Sequence, residues 1–245
     1  MPVDGLDPAL DGLRILHLSD LHLGTVSLNA RVVRMAVDWA AEEQPDVVAV
    51  TGDLVTRARG RKTLERELAR LEPRLGTYVV LGNHDVDESR DPFRKPIDLT
   101  DLRVPGTALL GDEQLSVRVG SASVQVVGVD PVAYRERASR PAERADESAA
   151  LRILLCHYPE VVRMLPPGAF HLVLAGHYHG GQIRLPTPWG KMPLKELRPP
   201  FLDGLHETPA GLLHVSRGLG TSFVPFRVLA RPEATLLVLR PSAGD

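Results

Sequence analysis

Cysteine is almost absent: Cys156 stands alone. That excludes an intrachain disulfide framework and a four-cysteine zinc cage, and it leaves the redox state of the compartment open. An excess of positive charge is also missing, with 29 Lys and Arg against 31 Asp and Glu and a formal net charge of −2. A broad nucleic-acid footprint, which needs clustered cations to displace counterions, is therefore not expected, whereas a small basic pocket for one phosphate stays open. No run approaches the roughly 20 apolar residues of a membrane span. The start, MPVDGLDPALDGLRILHLSD, lacks a basic leader followed by a long apolar segment. Cytoplasmic residence is the expectation. Repeats, low-complexity tracts and any linker between two cores are missing too, so residues 1–245 read as a single domain. With 43% hydrophobic residues, a chain of 245 can bury a substantial core.

Short apolar runs alternate with amphipathic stretches, the pattern of strands alternating with helices. Arg14–Leu18, Val47–Thr51 and Thr77–Leu81 read as strands. Leu28–Glu43 and Lys62–Glu72 read as helices, closed by Pro45 and Pro73. Leu115–Val119 and Ser123–Val129 resemble a hairpin across Gly120-Ser121. The Ala-rich, charged stretch that follows reads as a solvated excursion. Ile153–Cys156 and Leu172–Ala175 are buried strands with a short helix, Pro159–Leu165, between them. Residues 186–209, rich in proline, read as irregular, and Leu212–Ser216, Arg227–Ala230 and Thr235–Leu239 as closing strands. The fold class is α/β.

Five of the apolar runs end in the same kind of chemistry. They are followed by Asp20-Leu21-His22, Gly52-Asp53, Gly82-Asn83-His84-Asp85, His157 and Gly176-His177-Tyr178-His179. In open α/β sheets, ligands gather beyond the carboxyl ends of the strands, so one rim receives all five groups. Glycines 52, 82 and 176 let the backbone turn sharply or approach a bound group closely. Carboxylates, imidazoles and one amide form a mixed donor set without thiolates, too large for one tetrahedral ion and suited to two divalent cations. Two metals about 3.5–4 Å apart need a shared ligand, and a hydroxide held between them is a nucleophile at neutral pH for in-line attack on phosphorus.

In this order the blocks resemble the signature of the calcineurin-like metallophosphoesterases, over about Arg14 to Ile183. GHYHGGQIRLP and HVSRGLGTSFVPFRVLARPE further resemble a bacterial branch that includes phosphodiesterases and membrane-associated UDP-diacylglucosamine pyrophosphatases. The resemblance implies a two-layer β-sandwich of mixed sheets flanked by α-helices, with the site at one edge. It implies one metal on Asp20, His22, Asp53 and His179, and a second on Asp53, Asn83, His157 and His177, with Asp53 the bridge. Mn²⁺, Fe²⁺ and Zn²⁺ all suit such donors. His84 is implied as the group that faces the phosphate and protonates the leaving oxygen or stabilises its charge, and Asp85 as support for that loop. The chain departs from the branch at Tyr178, where Thr is common, and at His171, where an acid is common. Neither change removes a ligand.

Each block alone has an ordinary reading as a strand-end turn or cap; the five together, in one order, do not. His17, His171, His206 and His214 keep the ordinary reading. So does Cys156, because neighbours on a strand face opposite ways and His157 is poorly placed to activate it. Tyr178, Arg184 and Arg217 are candidate substrate contacts, weighed evenly against plain surface charge for the arginines. Residues 186–204 combine Trp189, Met192, Leu194 and Phe201 with Lys191, Lys195 and Arg198. They read as a loop packed on the core or, alternatively, as a lid or a peripheral contact with the inner face of a membrane. The expected activity is hydrolysis of a small phosphate ester or pyrophosphate, the lipid-linked kind included. The rivals are a binding module on the same fold that has lost turnover, and a nuclease, which would need a basic face.

Overall fold

A computed structural model describes residues 1–86, 97–187, 190–193 and 199–242. Two sheets dominate. One runs in the order Thr235–Val238, Arg14–Leu18, Val47–Thr51, Thr77–Val80, Thr107–Leu109; its first pairing is antiparallel and the rest are parallel. The other runs Gly204–Thr208, Gly211–Val215, Leu172–Ala175, Leu151–Leu155, Ala122–Gly128, Gln114–Val119, antiparallel at both edges and parallel inside.

The two-residue side-chain period of a strand explains how these sheets stack. Ile15, Val47, Ala49, Tyr78 and Val80 from the first sheet meet Val124, Val126, Ile153, Leu155, Leu172 and Leu174 from the second. The intervening positions Leu16, Leu18, Val48, Val50 and Val79 face outward onto Val33, Val37, Ala40, Leu64 and Leu68 of the helices Asn29–Glu43 and Arg61–Leu68. The far face of the second sheet, Val127, Leu154, Val173, Leu213 and Val215, is covered by Val161, Val162, Leu165 and Phe170. Strands buried on both faces read as unbroken apolar runs, which is why VVAVT and LVLA were legible. The arrangement is the expected two-layer sandwich of mixed sheets with flanking helices.

The proline-rich stretch departs from its reading as irregular. Arg184–Thr187 and Gly190–Pro193 pair as an antiparallel ribbon, and Gly204–Thr208 is an edge strand. Prolines are tolerated there because an isolated ribbon leaves one side of each strand free of ladder bonds. Conversely, Arg227–Ala230 is not a strand. Only Val228 makes a bridge, to Ile183, and Leu229 adopts a left-handed backbone with φ of 54° that breaks the pleat. Trp189, Leu194, Lys195 and Arg198 of the suggested lid lie outside the described residues. No helix among the described residues is long and apolar enough to cross a membrane.

One polar pair interrupts the layer between the sheets. His17 and His214 approach Nδ1 to Nδ1 at 2.8 Å, and His17 Nε2 lies 2.8 Å from Thr51 Oγ1. Only one of two facing ring nitrogens can carry a hydrogen, so the two imidazoles are not both cationic. Burial holds His17 well below its ordinary pKa and His214 below it. In the unfolded chain both take up protons near pH 6.5, so the unfolded state binds more protons in acid. The stability they permit is intact above that pH and falls below it, by at most about 1.4 kcal/mol per pH unit for each histidine kept neutral. Urea denaturation in chelator at pH 7.5 and 5.5 should show a smaller acid loss for the double variant His17→Asn, His214→Asn than for the native sequence. Equal losses would clear the pair of any part in acid sensitivity.

Candidate metal centre

Every block named from the sequence reaches the same end of the sandwich. Asp20 and His22 follow the Arg14–Leu18 strand, Asp53 follows Val47–Thr51, and Asn83 and His84 follow Thr77–Val80. His157 follows Leu151–Leu155, and His177 and His179 follow Leu172–Ala175. What the sequence does not display is the backbone that makes them converge. Asp20, His22, Asp53, His177 and His179 all have positive φ, between 45° and 79°. Each left-handed residue costs about 1–2 kcal/mol, and such strain persists only where the surroundings over-determine it. Here the loops brace one another. Asp20 N donates to Gly52 O, His22 N to Asp53 O, and Gly176 N to His157 O, at 2.9–3.1 Å. Gly82 and Gly176 serve by leaving space rather than by turning. A Cβ on Gly82 would strike the Asp53 carboxylate, and one on Gly176 would strike Ser19 and Asp20.

Two sets of donors result. Asp20, His22, Asp53 and His179, all buried, each offer one ligand atom, and these atoms lie within 4.8 Å of one another. His22 Nε2 and His179 Nε2 stand 3.1 Å apart, and His179 Nε2 is 3.3 Å from Asp20 Oδ1. In the second set His157 Nε2 lies 3.1 Å from His177 Nδ1. Asp53 Oδ2 joins the sets, 3.4 Å from His22 Nε2 and 3.4 Å from His157 Nε2. Asn83 Oδ1 is buried and accepts no hydrogen bond among the described residues. Paired nitrogen lone pairs, a carboxylate oxygen between them and an orphaned amide oxygen are satisfied together by cations. The residues fit two divalent ions.

Groups behind the donors fix their orientation. His157 Nδ1 donates to Thr51 O at 2.8 Å, which turns Nε2 to Asp53. His22 Nδ1 lies 2.7 Å from Thr56 Oγ1, so its Nε2 likewise faces the cluster. Asp85 accepts from the backbone N–H of Leu54, Val55 and Gly82 at 2.9–3.0 Å and thereby ties the Asp53 loop to the Asn83 loop. Burial and the charge of Asp53 push the Asp85 carboxyl up to about 7 against those three donors. Burial also lowers His22 to about 3 and His179 well below its usual range, which keeps their lone pairs free. At His157 burial works against the charge, but Asp53 and Asp20 overcome it and raise the group to about 9. The cluster favours positive charge at the shared oxygen, as a cation site requires.

His84 is buried beside the first set. Its backbone N donates to Asp53 Oδ1 at 2.9 Å, and its ring meets that of His22 edge-on at 4.8 Å. Tyr178 donates its hydroxyl to Glu160. Arg184 pairs with Asp203 and donates to Gly180 O. Arg217 pairs with Glu233 and comes within 3.9 Å of Asp203. Both arginines lie against Gly180, each matched to a carboxylate, and neither is joined to the metal donors. Arg227 was not legible as a site residue. It donates to the carbonyls of His179, Gly218, Gly220 and Ala230, and its Nη2 lies 3.3 Å from His179 Nδ1. Asn29, at the first turn of its helix, donates to His22 O and accepts from Thr221 N.

Comparisons with known proteins identify the family. The calcineurin-like phosphoesterase model matches residues 13–181. The chain is 31% identical over 237 residues to an uncharacterized metallophosphoesterase, YkoQ, of Bacillus subtilis, covering 95% of this chain and 85% of that protein. It is 25% identical over 231 residues to the phosphodiesterase YaeI of Escherichia coli, covering 92% and 82%. A zebrafish transmembrane protein with a metallophosphoesterase domain is 30% identical over 255 residues, 98% of this chain but 56% of that protein. Among solved structures, a dimetal phosphatase from Danio rerio superposes with a TM-score of 0.58 at 11% identity, over 94% of this chain and 93% of that one, and shares the fold. The chain belongs to the calcineurin-like phosphoesterase family and is a metal-dependent phosphoester hydrolase.

Proposed function

We propose that the chain is a phosphodiesterase or pyrophosphatase that holds two divalent ions, one on Asp20, His22, Asp53 and His179 and one on Asp53, Asn83, His157 and His177. The observation that carries the reading is Asp53 Oδ2, equidistant at 3.4 Å from a histidine of each set. When bound, Mn²⁺, Fe²⁺ or Zn²⁺ supplies Lewis-acid neutralisation of phosphoryl oxygens and acidifies water at neutral pH. The chain's own part is to keep His22 and His179 unprotonated by burial and to present the Asp53 carboxylate between the two donor sets. His84, buried beside the first donor set, is the group assigned to stabilise or protonate the departing oxygen. The substrate is a small phosphate ester or pyrophosphate, met on the cytoplasmic side. A lipid-linked form would bring peripheral membrane contact, which flotation with anionic vesicles measures.

A panel of aryl phosphodiester, phosphomonoester and pyrophosphate, run with each metal separately, tests the reading. Diester or pyrophosphate hydrolysis is expected to exceed monoester hydrolysis. His84→Ala should retain bound metal while losing about 10²-fold in kcat. A metal-replete protein inert on the whole panel would be a binding module. That reading is the weaker one because none of the donors is missing.

A further inference from the structure

Phe223 is placed at odds with the stability of its own loop. The residue is 65% exposed, and its backbone is left-handed with φ of 59°, a region that bulky residues avoid. The conformation is imposed from two sides. Gln182, three residues after His179, donates to Ser222 O at 2.9 Å and Val224 O at 3.1 Å, and accepts from Ser222 N at 2.9 Å. Asn29 accepts from Thr221 N at 3.1 Å and also donates to His22 O. Phe223 is thus bracketed by the two anchors that brace the His22 and His179 loops. Its ring meets that of His84 edge-on at 6.3 Å, and His84 in turn contacts His22. The same loop exposes Phe226, Val228 and Leu229.

We infer that Phe223 forms the wall of a subsite for an aryl substituent that stays on phosphorus while the other ester group departs at His84. The inference rests on the phosphodiesterase reading and names the part of the substrate that the metal donors leave unspecified. The Phe223 ring stands edge-on to the His84 ring at 6.3 Å, so a substituent carried by a phosphate next to His84 would have it as a neighbour. Aromatic faces gain from covering such a group with no polar group to satisfy. Hydrogen bonds to Thr221, Ser222 and Val224 fix the backbone that carries the ring, which reduces the ordering that binding requires.

The test compares methyl and phenyl esters of p-nitrophenyl phosphate with metal-replete protein. The native chain should favour the phenyl ester by about tenfold in kcat/KM, the size of discrimination an apolar pocket supplies. Phe223→Ala should abolish that preference while methyl-ester turnover and bound metal stay within about twofold, and Phe223→Tyr should restore it. Phe223→Gly removes the ring and relieves the left-handed backbone. It should lose the preference with an unchanged or raised Tm, an outcome that a purely structural role would reverse. An unchanged ester ratio in Phe223→Ala overturns the subsite, as does equal loss of both esters. Lowered binding to anionic vesicles with the ester ratio intact also overturns it and assigns the ring to a membrane. If neither ester is hydrolysed, the phosphodiesterase reading falls by itself. Calorimetry with phenylphosphonate and methylphosphonate then still measures the subsite, through an affinity ratio that Phe223→Ala either collapses or leaves alone.

Discussion

Asp53→Asn will strip the protein of both ions and lower ester hydrolysis on the order of 10³-fold, the loss of several kcal/mol of transition-state stabilisation. The size is nearly unchanged, so the effect is one of charge and of hydrogens. In the native chain Oδ1 accepts from His84 N at 2.9 Å while Oδ2 faces His22 and His157. An amide has one oxygen. If His84 N–H claims it, the NH₂ group points two hydrogens at the place where both donor sets meet. If the oxygen is given to the donor sets, the NH₂ group meets the His84 N–H donor to donor. Either way the shared ligand is lost, whereas Asp20→Asn disturbs one set alone. Elemental analysis should give fewer than one ion per Asp53→Asn chain and about one per Asp20→Asn chain, against about two natively. Two ions and full activity in the Asp53 variant would sink the assignment of the bridge.

The residues of this centre were legible because chemistry and register coincide in the sequence. Five apolar runs buried on both faces are easy to see, and Asp, Asn and His recur together at their ends. The alternation that sends Ile15 and Val47 between the sheets and Leu16 and Val48 onto the helices follows from the same period. Three things were not legible. The left-handed backbone at Asp20, His22, Asp53, His177 and His179 is set by loops bracing one another across the sheet end, and no local propensity encodes it. The His17–His214 contact joins residues 197 apart in sequence, and nothing near either marks its partner. The ribbon of Arg184–Thr187 and Gly190–Pro193 hides behind prolines that a ribbon tolerates and an internal strand would not. Pairing read only from local pattern misses contacts that the third dimension makes.

Arg227 is the strongest case of that kind, and its substitution carries the second large effect. Two influences oppose each other. A cation beside the first donor set disfavours a metal there, and removing it would tighten binding. The guanidinium also holds the carbonyls of His179, Gly218, Gly220 and Ala230, so removing it would release the loop on which His179 sits at a positive φ. The charge term is reduced because Asp20 lies near enough to raise the Arg227 pKa against burial, which lowers it to about 10. The positional term is undiluted. Charge-assisted hydrogen bonds are worth about 1.5–3 kcal/mol each, and the strained backbone at His179 has no incentive to stay once they are gone. Positioning should win. Arg227→Met is expected to weaken Mn²⁺ binding to the chelated and re-dialysed protein by about 10–100-fold, the range for a lost supporting partner of a metal ligand. Arg227→Lys keeps the charge but cannot span four carbonyls with a single ammonium. Its affinity should fall between those of Arg227→Met and the native chain, with apo-protein circular dichroism unchanged. Were the charge term dominant, Arg227→Met would bind Mn²⁺ more tightly than the native protein and Arg227→Lys would match it. The order of the three affinities therefore decides whether this arginine repels the metal or builds its site.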